Sequence, residues 1–138
     1  MAKEFKAPMV QDYRTEIAVV TAATTDRTGA TTTNLVKLCD TGEVGSKLTA
    51  IHFKGQGDSV ASTGLIFIRK AEGDYLLFDE VVLAALSATN SVMSEQNSAL
   101  YEDLFLEEGI EIFVGVTALS TTDAWNVFGL ISDYKNIV

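Results

Sequence analysis

From Glu16 onward the chain repeats one unit: a short apolar run rich in Val, Ile, Leu and Phe, then a break of Gly, Asp, Ser or Thr. Nothing along it carries a sustained helical stripe, and this rhythm constrains the fold more than any other feature. Ile110-Glu111-Ile112-Phe113-Val114-Gly115-Val116-Thr117 shows it best, with Ile110, Ile112, Val114 and Val116 on one face of an alternating strand. Ile17 to Thr21 reads as the first strand, Thr32 to Cys39 as the second, and Leu48 to Lys54 as the third, with Ile51 and Phe53 inward and His52 outward. Ser62–Lys70 and Asp74–Val82 read as a hairpin across Ala71-Glu72-Gly73. Their cores, Leu65-Ile66-Phe67-Ile68 and Tyr75-Leu76-Leu77-Phe78, are apolar at successive positions, which implies strands covered on both faces or covered by a partner. The stretch from Ala84 to Tyr101 reads as a long connection with one irregular strand, and Trp125 to Tyr134 as the last strand. Seven or eight short strands separated by turn signals predict an all-β fold, a β-sandwich of jelly-roll form.

No repeat or low-complexity linker divides the chain, so one sandwich domain is expected over residues 15–138, preceded by an extended N-terminal arm over 1–14. A chain of 138 residues, 47% of them hydrophobic, can bury a core without metals or disulfides. Its one cysteine, Cys39, has no internal partner, which excludes a disulfide-stapled scaffold. The longest apolar stretch, Val81 to Leu86, is far short of the roughly 20 residues that cross a bilayer. Met1 to Pro8 carries charges with no apolar run behind them, so no secretory signal is read and the chain is expected to stay in the cytosol, with no membrane partner.

Charge is divided along the chain. Residues 1–70 hold nine Lys/Arg against seven Asp/Glu, whereas residues 71–134 hold twelve Asp/Glu and no Lys or Arg; the total is −9. A nucleic-acid binder needs a basic stripe, so nucleic acid is not an expected partner. The acidic half reads as a solvated surface, or as a face that meets a basic face on another molecule.

Residues that could carry chemistry are few and scattered. His52 is the only histidine and reads as structural; Cys39 reads as a small buried hydrophobe; a Cys39/His52 pair across neighbouring strands lacks an orienting third group. No phosphate loop, dinucleotide fingerprint, nucleophile elbow or metalloprotease helix occurs. The acidic pairs Asp79/Glu80, Glu102/Asp103 and Glu107/Glu108 are neighbours in sequence, which on a strand sends them to opposite faces. No catalytic residue, metal ligand or cofactor site is expected. Trp125 could belong to a sugar-stacking platform, and the simpler reading is a core side chain.

The order of segments carries a resemblance. The stretch "AATTDRTGATTTNLVKLCDTGEVGSKLTAIHFKGQGDSVASTGLIFI", a hairpin, "LFLEEGIEIFVGV" and a closing "NVFGLISDY" together resemble small β-sandwich virion structural proteins of tailed bacteriophages. The matching positions are Gly42, Gly45, Ser46, Ile51, Gly64, Leu104, Leu106, Gly109 and Gly129 to Tyr134, within roughly residues 16 to 134. The resemblance implies a non-enzymatic virion protein assembled in the host cytoplasm: a capsid decoration or cement protein, with a tail-associated adaptor or fibre component as the alternative. A carbohydrate-binding module is the reading from another class. The implied partners are other copies of the chain, in head-to-tail or trimeric contacts, and the major capsid protein or another virion protein. The arm, with Lys3, Phe5, Lys6, Met9, Tyr13 and Arg14, is expected to make the contact, basic and partly apolar against the acidic half of a neighbour.

Overall fold

A computed structural model describes residues 11–121 and 123–135. Its strands, in chain order, are β1 (Gln11–Val20), β2 (Val36–Asp40), β3 (Ser46–Gly55), β4 (Ser62–Lys70), β5 (Leu76–Leu83), β6 (Gln96–Leu106), β7 (Ile110–Val116) and β8 (Trp125–Tyr134). They form two four-stranded sheets, ordered β1-β8-β3-β6 and β2-β7-β4-β5. The order has a simple origin: β1 pairs with β8, β2 with β7, β3 with β6 and β4 with β5, all antiparallel. The chain is thus one long antiparallel ribbon with its tip at the β4–β5 hairpin, and winding that ribbon up adds the β3–β8 and β4–β7 pairs. Eight strands in two sheets wound this way are a jelly roll, the all-β sandwich that the strand rhythm predicts.

The core lies between the sheets. Ile112, Val114 and Val116 of β7, Ile51 and Phe53 of β3, Val20 of β1, and Trp125 and Val127 of β8 are all buried in it. Each such side chain contributes about 1.5–3 kcal/mol on leaving water, so the alternation of β3, β7 and β8 fixes which face turns inward. Along both sides of the sandwich the strand edges are met by side chains. Arg14 donates to the Asp40 carbonyl, Asn97 Nδ2 donates to the Val82 carbonyl at 2.7 Å, and Tyr101 Oη donates to Asp79 at 2.8 Å. This cover blunts edges that would otherwise recruit further strands.

Several boundaries differ from the sequence expectation. β1 begins at Gln11, so residues 11–14, read as part of the arm, are paired with Tyr134 to Ile131. Backbone pairing to β8 supplies there what apolar periodicity does not. β2 begins only at Val36, because residues 21–35 form a long loop. The region read as a connection with one irregular strand holds the longest strand, β6, whose Asp103 has φ 52° and whose register against β3 slips between Leu48 and Ala50. A strand containing such a bulge loses its two-residue period, which hid it. The hairpin stands as expected, yet its turn puts φ of 48° and 60° on Ala71 and Glu72 while Gly73 N–H donates to the Lys70 carbonyl at 2.9 Å. That is a type I′ turn carried by two residues with side chains.

Winding also accounts for the divided charge. Because strands of the first half pair mostly with strands of the second, acidic and basic residues far apart in sequence become neighbours. Among the described residues, six of nine ion pairs join a Lys or Arg before residue 71 to a carboxylate after it: Arg14–Asp133, Arg27–Glu80, Lys37–Glu111, Lys47–Asp103, Arg69–Glu111 and Lys70–Glu107. Much of the acidic half is therefore met by the basic half of the same molecule.

Candidate interaction surface

Residues directly opposite each other on paired strands share a face, so the register defines the outer surface of β1-β8-β3-β6. Four rows cross it: Val19–Asn126–Lys54–Gln96, Ile17–Phe128–His52–Ser98, Thr15–Leu130–Ala50–Leu100 and Tyr13–Ser132–Lys47–Phe105. In the two middle rows five of the eight residues, Ile17, Phe128, Leu130, Ala50 and Leu100, are apolar. Solvent reaches 83% of Tyr13, 79% of Leu100, 61% of Ile17, 58% of Phe105 and 42% of Leu130. In these rows the charged residues are Lys47 and Lys54, near opposite ends of β3; Lys47 sits 5.9 Å from the Phe105 ring centroid and Lys54 donates to the Ser94 carbonyl at 3.0 Å. Beside the β3 bulge an open depression of about 320 Å³ is lined by residues including Tyr13, Thr15, Thr49 and Leu130. Contiguous exposed apolar surface is a common mark of interaction sites.

The outer face of β2-β7-β4-β5 also carries large apolar side chains, and the chain itself closes over them. Leu65, Phe67 and Phe113 point outward there and are 0%, 0% and 8% exposed, packed under Leu35, Tyr75 and Leu77. Thr24 N–H donates to the Val116 carbonyl at 2.9 Å, which ties the 21–35 loop to the end of β7. Gly115 leaves room for Leu35 and Thr24, and Gly29, at φ 80°, lies against the backbone of Tyr75. Above the same face the Arg69 guanidinium stacks 4.9 Å from the Tyr75 ring centroid and bonds Glu111, which also meets Lys37 at 3.1 Å. The Arg69 hydrogen bond, aided by Lys37, holds the Glu111 carboxyl below its usual range.

Of the expected contact residues, Lys3, Phe5, Lys6 and Met9 lie outside the described residues. Tyr13 stands on the exposed face. Arg14 turns the other way, bonded to Glu16 and Asp133 at 2.9 Å each, so its charge is engaged within the fold. The strand signal of β1 was legible in Ile17 to Val20, but an outward patch of Ile17, Phe128, Leu130 and Leu100 exists only once register joins the four strands.

The chemically capable residues are kept apart. Cys39 is buried in the core, and burial pushes its thiol up to about 12. His52 lies on the outer face of the other sheet, hydrogen-bonded to Ser98, so the two do not form the cross-strand pair considered from sequence. The acidic pairs are divided as well: Asp79 accepts from Tyr101, Glu80 meets Arg27, Asp103 meets Lys47 and Glu107 meets Lys70. Trp125 is fully buried, a core side chain. Among the described residues no three His, Cys, Asp or Glu side chains gather in a way that could hold a metal, and no helix is long and apolar enough to cross a membrane.

No protein-family model matches the chain, and no curated protein matches its sequence. Among solved structures it is similar to a chain of the cyanophage Pam1 capsid asymmetric unit, at 12% identity and TM-score 0.48, over 98% of this chain and 93% of that one. It is also similar to a chain of the virus-like particle of the extra small virus of the giant freshwater prawn Macrobrachium rosenbergii, at 9% identity and TM-score 0.37, over 98% and 88%.

Proposed function

We propose that the chain is a non-enzymatic structural protein of a phage virion, acting as a decoration or cement subunit that stabilises the head by protein–protein contact. The observation that carries this reading is a jelly roll that exposes large apolar side chains across one sheet face, while among the described residues no three His, Cys, Asp or Glu side chains gather. Jelly rolls serve capsids, lectins and cupins among others. A lectin of the kind considered from sequence would present Trp125 to solvent, and the chain buries it. A cupin-like enzyme would gather metal ligands in its barrel, and the described residues bring no such group together. A flat apolar face serves assembly, and the sequence resemblance to phage virion proteins supplies the setting.

The test is to follow the protein through gradient purification of virus particles from its source, with immunogold labelling of the particles. Labelled heads that lose thermal stability when the protein is stripped, and regain it on adding the protein back, are the expected result. Labelled tails would move the assignment to the tail-associated alternative. Particles free of the protein would remove the virion reading.

A further inference from the structure

The uncovered face of β1-β8-β3-β6 has the dimensions and chemistry of a surface that meets its own copy. We propose that two copies of the chain pack these faces together about a twofold axis parallel to the strands. The inference rests on the reading of the protein as one that acts by assembly, and names the surface it uses.

Size comes first. Strands spaced about 4.8 Å apart and rising about 3.3 Å per residue make this four-stranded face roughly 19 Å by 33 Å, so two copies would bury about 1,200 Å². That is where stable interfaces of ordinary size begin. Charge selects the partner. The paired positions of the face hold Lys47 and Lys54, and among the described residues the one carboxylate paired with either of them is Asp103 of the β6 bulge, 3.8 Å from Lys47. The chain's own N-terminal residues, with Lys3 and Lys6 against Glu4 alone, would bring further positive charge onto it. A second copy brings none where it matters. With the axis parallel to the strands, β3 of one copy lies over β8 of the other, whose outward residues are Asn126, Phe128, Leu130 and Ser132. The lysines of the two copies then never face one another. In this arrangement β1 lies over the partner's β6, so Tyr13 meets the partner's Phe105, and Phe128 meets the partner's His52. Sheets stacked face to face sit about 10 Å apart at about −30°, close enough for these side chains to interdigitate.

Sedimentation velocity of the full chain between about 1 and 100 μM should show a monomer–dimer equilibrium, as an interface at the small end of the stable range implies. Ile17→Lys and Leu100→Lys, at positions open to solvent in the monomer, should keep the far-UV circular dichroism spectrum and raise the dissociation constant at least about tenfold. Leu76→Lys, equally exposed but on the other sheet, should change nothing. A chain carrying both Tyr13→Cys and Phe105→Cys should form a disulfide-linked dimer on oxidation. Within one chain these positions are three strand spacings apart, about 14 Å, beyond the reach of a disulfide. A wild-type monomer throughout, a trimer or larger ring, dimers indifferent to Leu100→Lys, or dimers that appear only when residues 1–10 are deleted would each overturn the proposal. Co-sedimentation with virus particles, measured in parallel, separates the two ideas. Dimers that ignore particles refute the virion role and leave the interface standing; particle binding by a strictly monomeric protein does the reverse.

Discussion

The outer faces of the two sheets both carry large apolar side chains, and the chain treats them differently. Over β2-β7-β4-β5 it spends fifteen residues, 21–35, on a loop that shuts Leu65, Phe67 and Phe113 away from water. Over β1-β8-β3-β6 the described residues include nothing comparable, and Tyr13, Ile17 and Leu100 stand open. The contrast teaches that apolar residues on the outside of a sandwich have two distinct meanings. Where the sequence also supplies a loop with its own apolar anchor, here Leu35, and small residues to seat it, here Gly29 and Gly115, the face belongs to a second internal core. Where the described residues supply neither, the face stays open to solvent, the situation on which the proposed interface rests.

The comparison is broken most directly by equal truncations on the two faces. Phe67→Ala should cost about 3–5 kcal/mol in urea unfolding, because it empties a filled site between loop and sheet. Leu100→Ala should stay within about 0.5 kcal/mol in dilute solution, because the monomer already exposes that side chain. If the interface described above forms, the Leu100→Ala penalty will grow with protein concentration while that of Phe67→Ala will not, since only the former is linked to association. Comparable penalties in dilute solution would mean that both faces are covered within one chain.

Next in size is the cover itself. Leu35 is half buried, so Leu35→Ala should cost about 1–2.5 kcal/mol, roughly half of a full core truncation. Gly29→Ala should act in the same direction for another reason. Its φ of 80° is costly for a residue with a side chain, and the added methyl would press on the Tyr75 backbone. In both variants the fluorescence of Trp125, in the main core, should change less than that of Tyr75, which lies under the loop. Loss of both signals together would show that the loop and the sandwich unfold as one unit.

How much of this was legible in sequence follows from the range over which each feature is encoded. Strands β3, β4, β7 and β8 could be read because their inward residues repeat every second position, and the β4–β5 hairpin because its loop is short. The double apolar run Leu65-Ile66-Phe67 implied cover on both faces or by a partner; that the cover is the chain's own loop, ending thirty residues earlier, was not local information. β6 was read only as an irregular strand within a connection, without its extent to Leu106, because the Asp103 bulge interrupts its period. The divided charge suggested a partner, yet the winding of the ribbon brings much of it together within the molecule. The exposed face escaped for a related reason. Its rows draw one residue from each of four strands, so no window of the sequence contains a row.

The smallest expected effect concerns what holds the covering loop in shape. Asp26 sits at the start of its turn, where one carboxylate oxygen accepts from the Thr28 hydroxyl at 2.6 Å and the Thr28 N–H at 2.8 Å, and the other accepts from the Thr31 N–H at 2.8 Å. These bonds, the Thr28 hydroxyl foremost, favour the charged form and lower the carboxyl from 3.8 to about 2. A carboxyl whose value is depressed on folding adds stability that is complete above its unfolded value and is lost as the pH falls through its folded one. The contribution should therefore be constant from neutral pH down to about 4 and fade between about 4 and 2. Asp26→Asn removes it at every pH, so the difference in urea stability between wild type and variant should be present at pH 6 and close by pH 2. On the open face the row of Leu100 carries no carboxylate, so the Leu100→Ala difference should not change over the same interval. A gap for Asp26→Asn that persists at pH 2 would mean that the amide fails to fit the turn for steric reasons, and that the loop over β2-β7-β4-β5 is held by its apolar anchors alone.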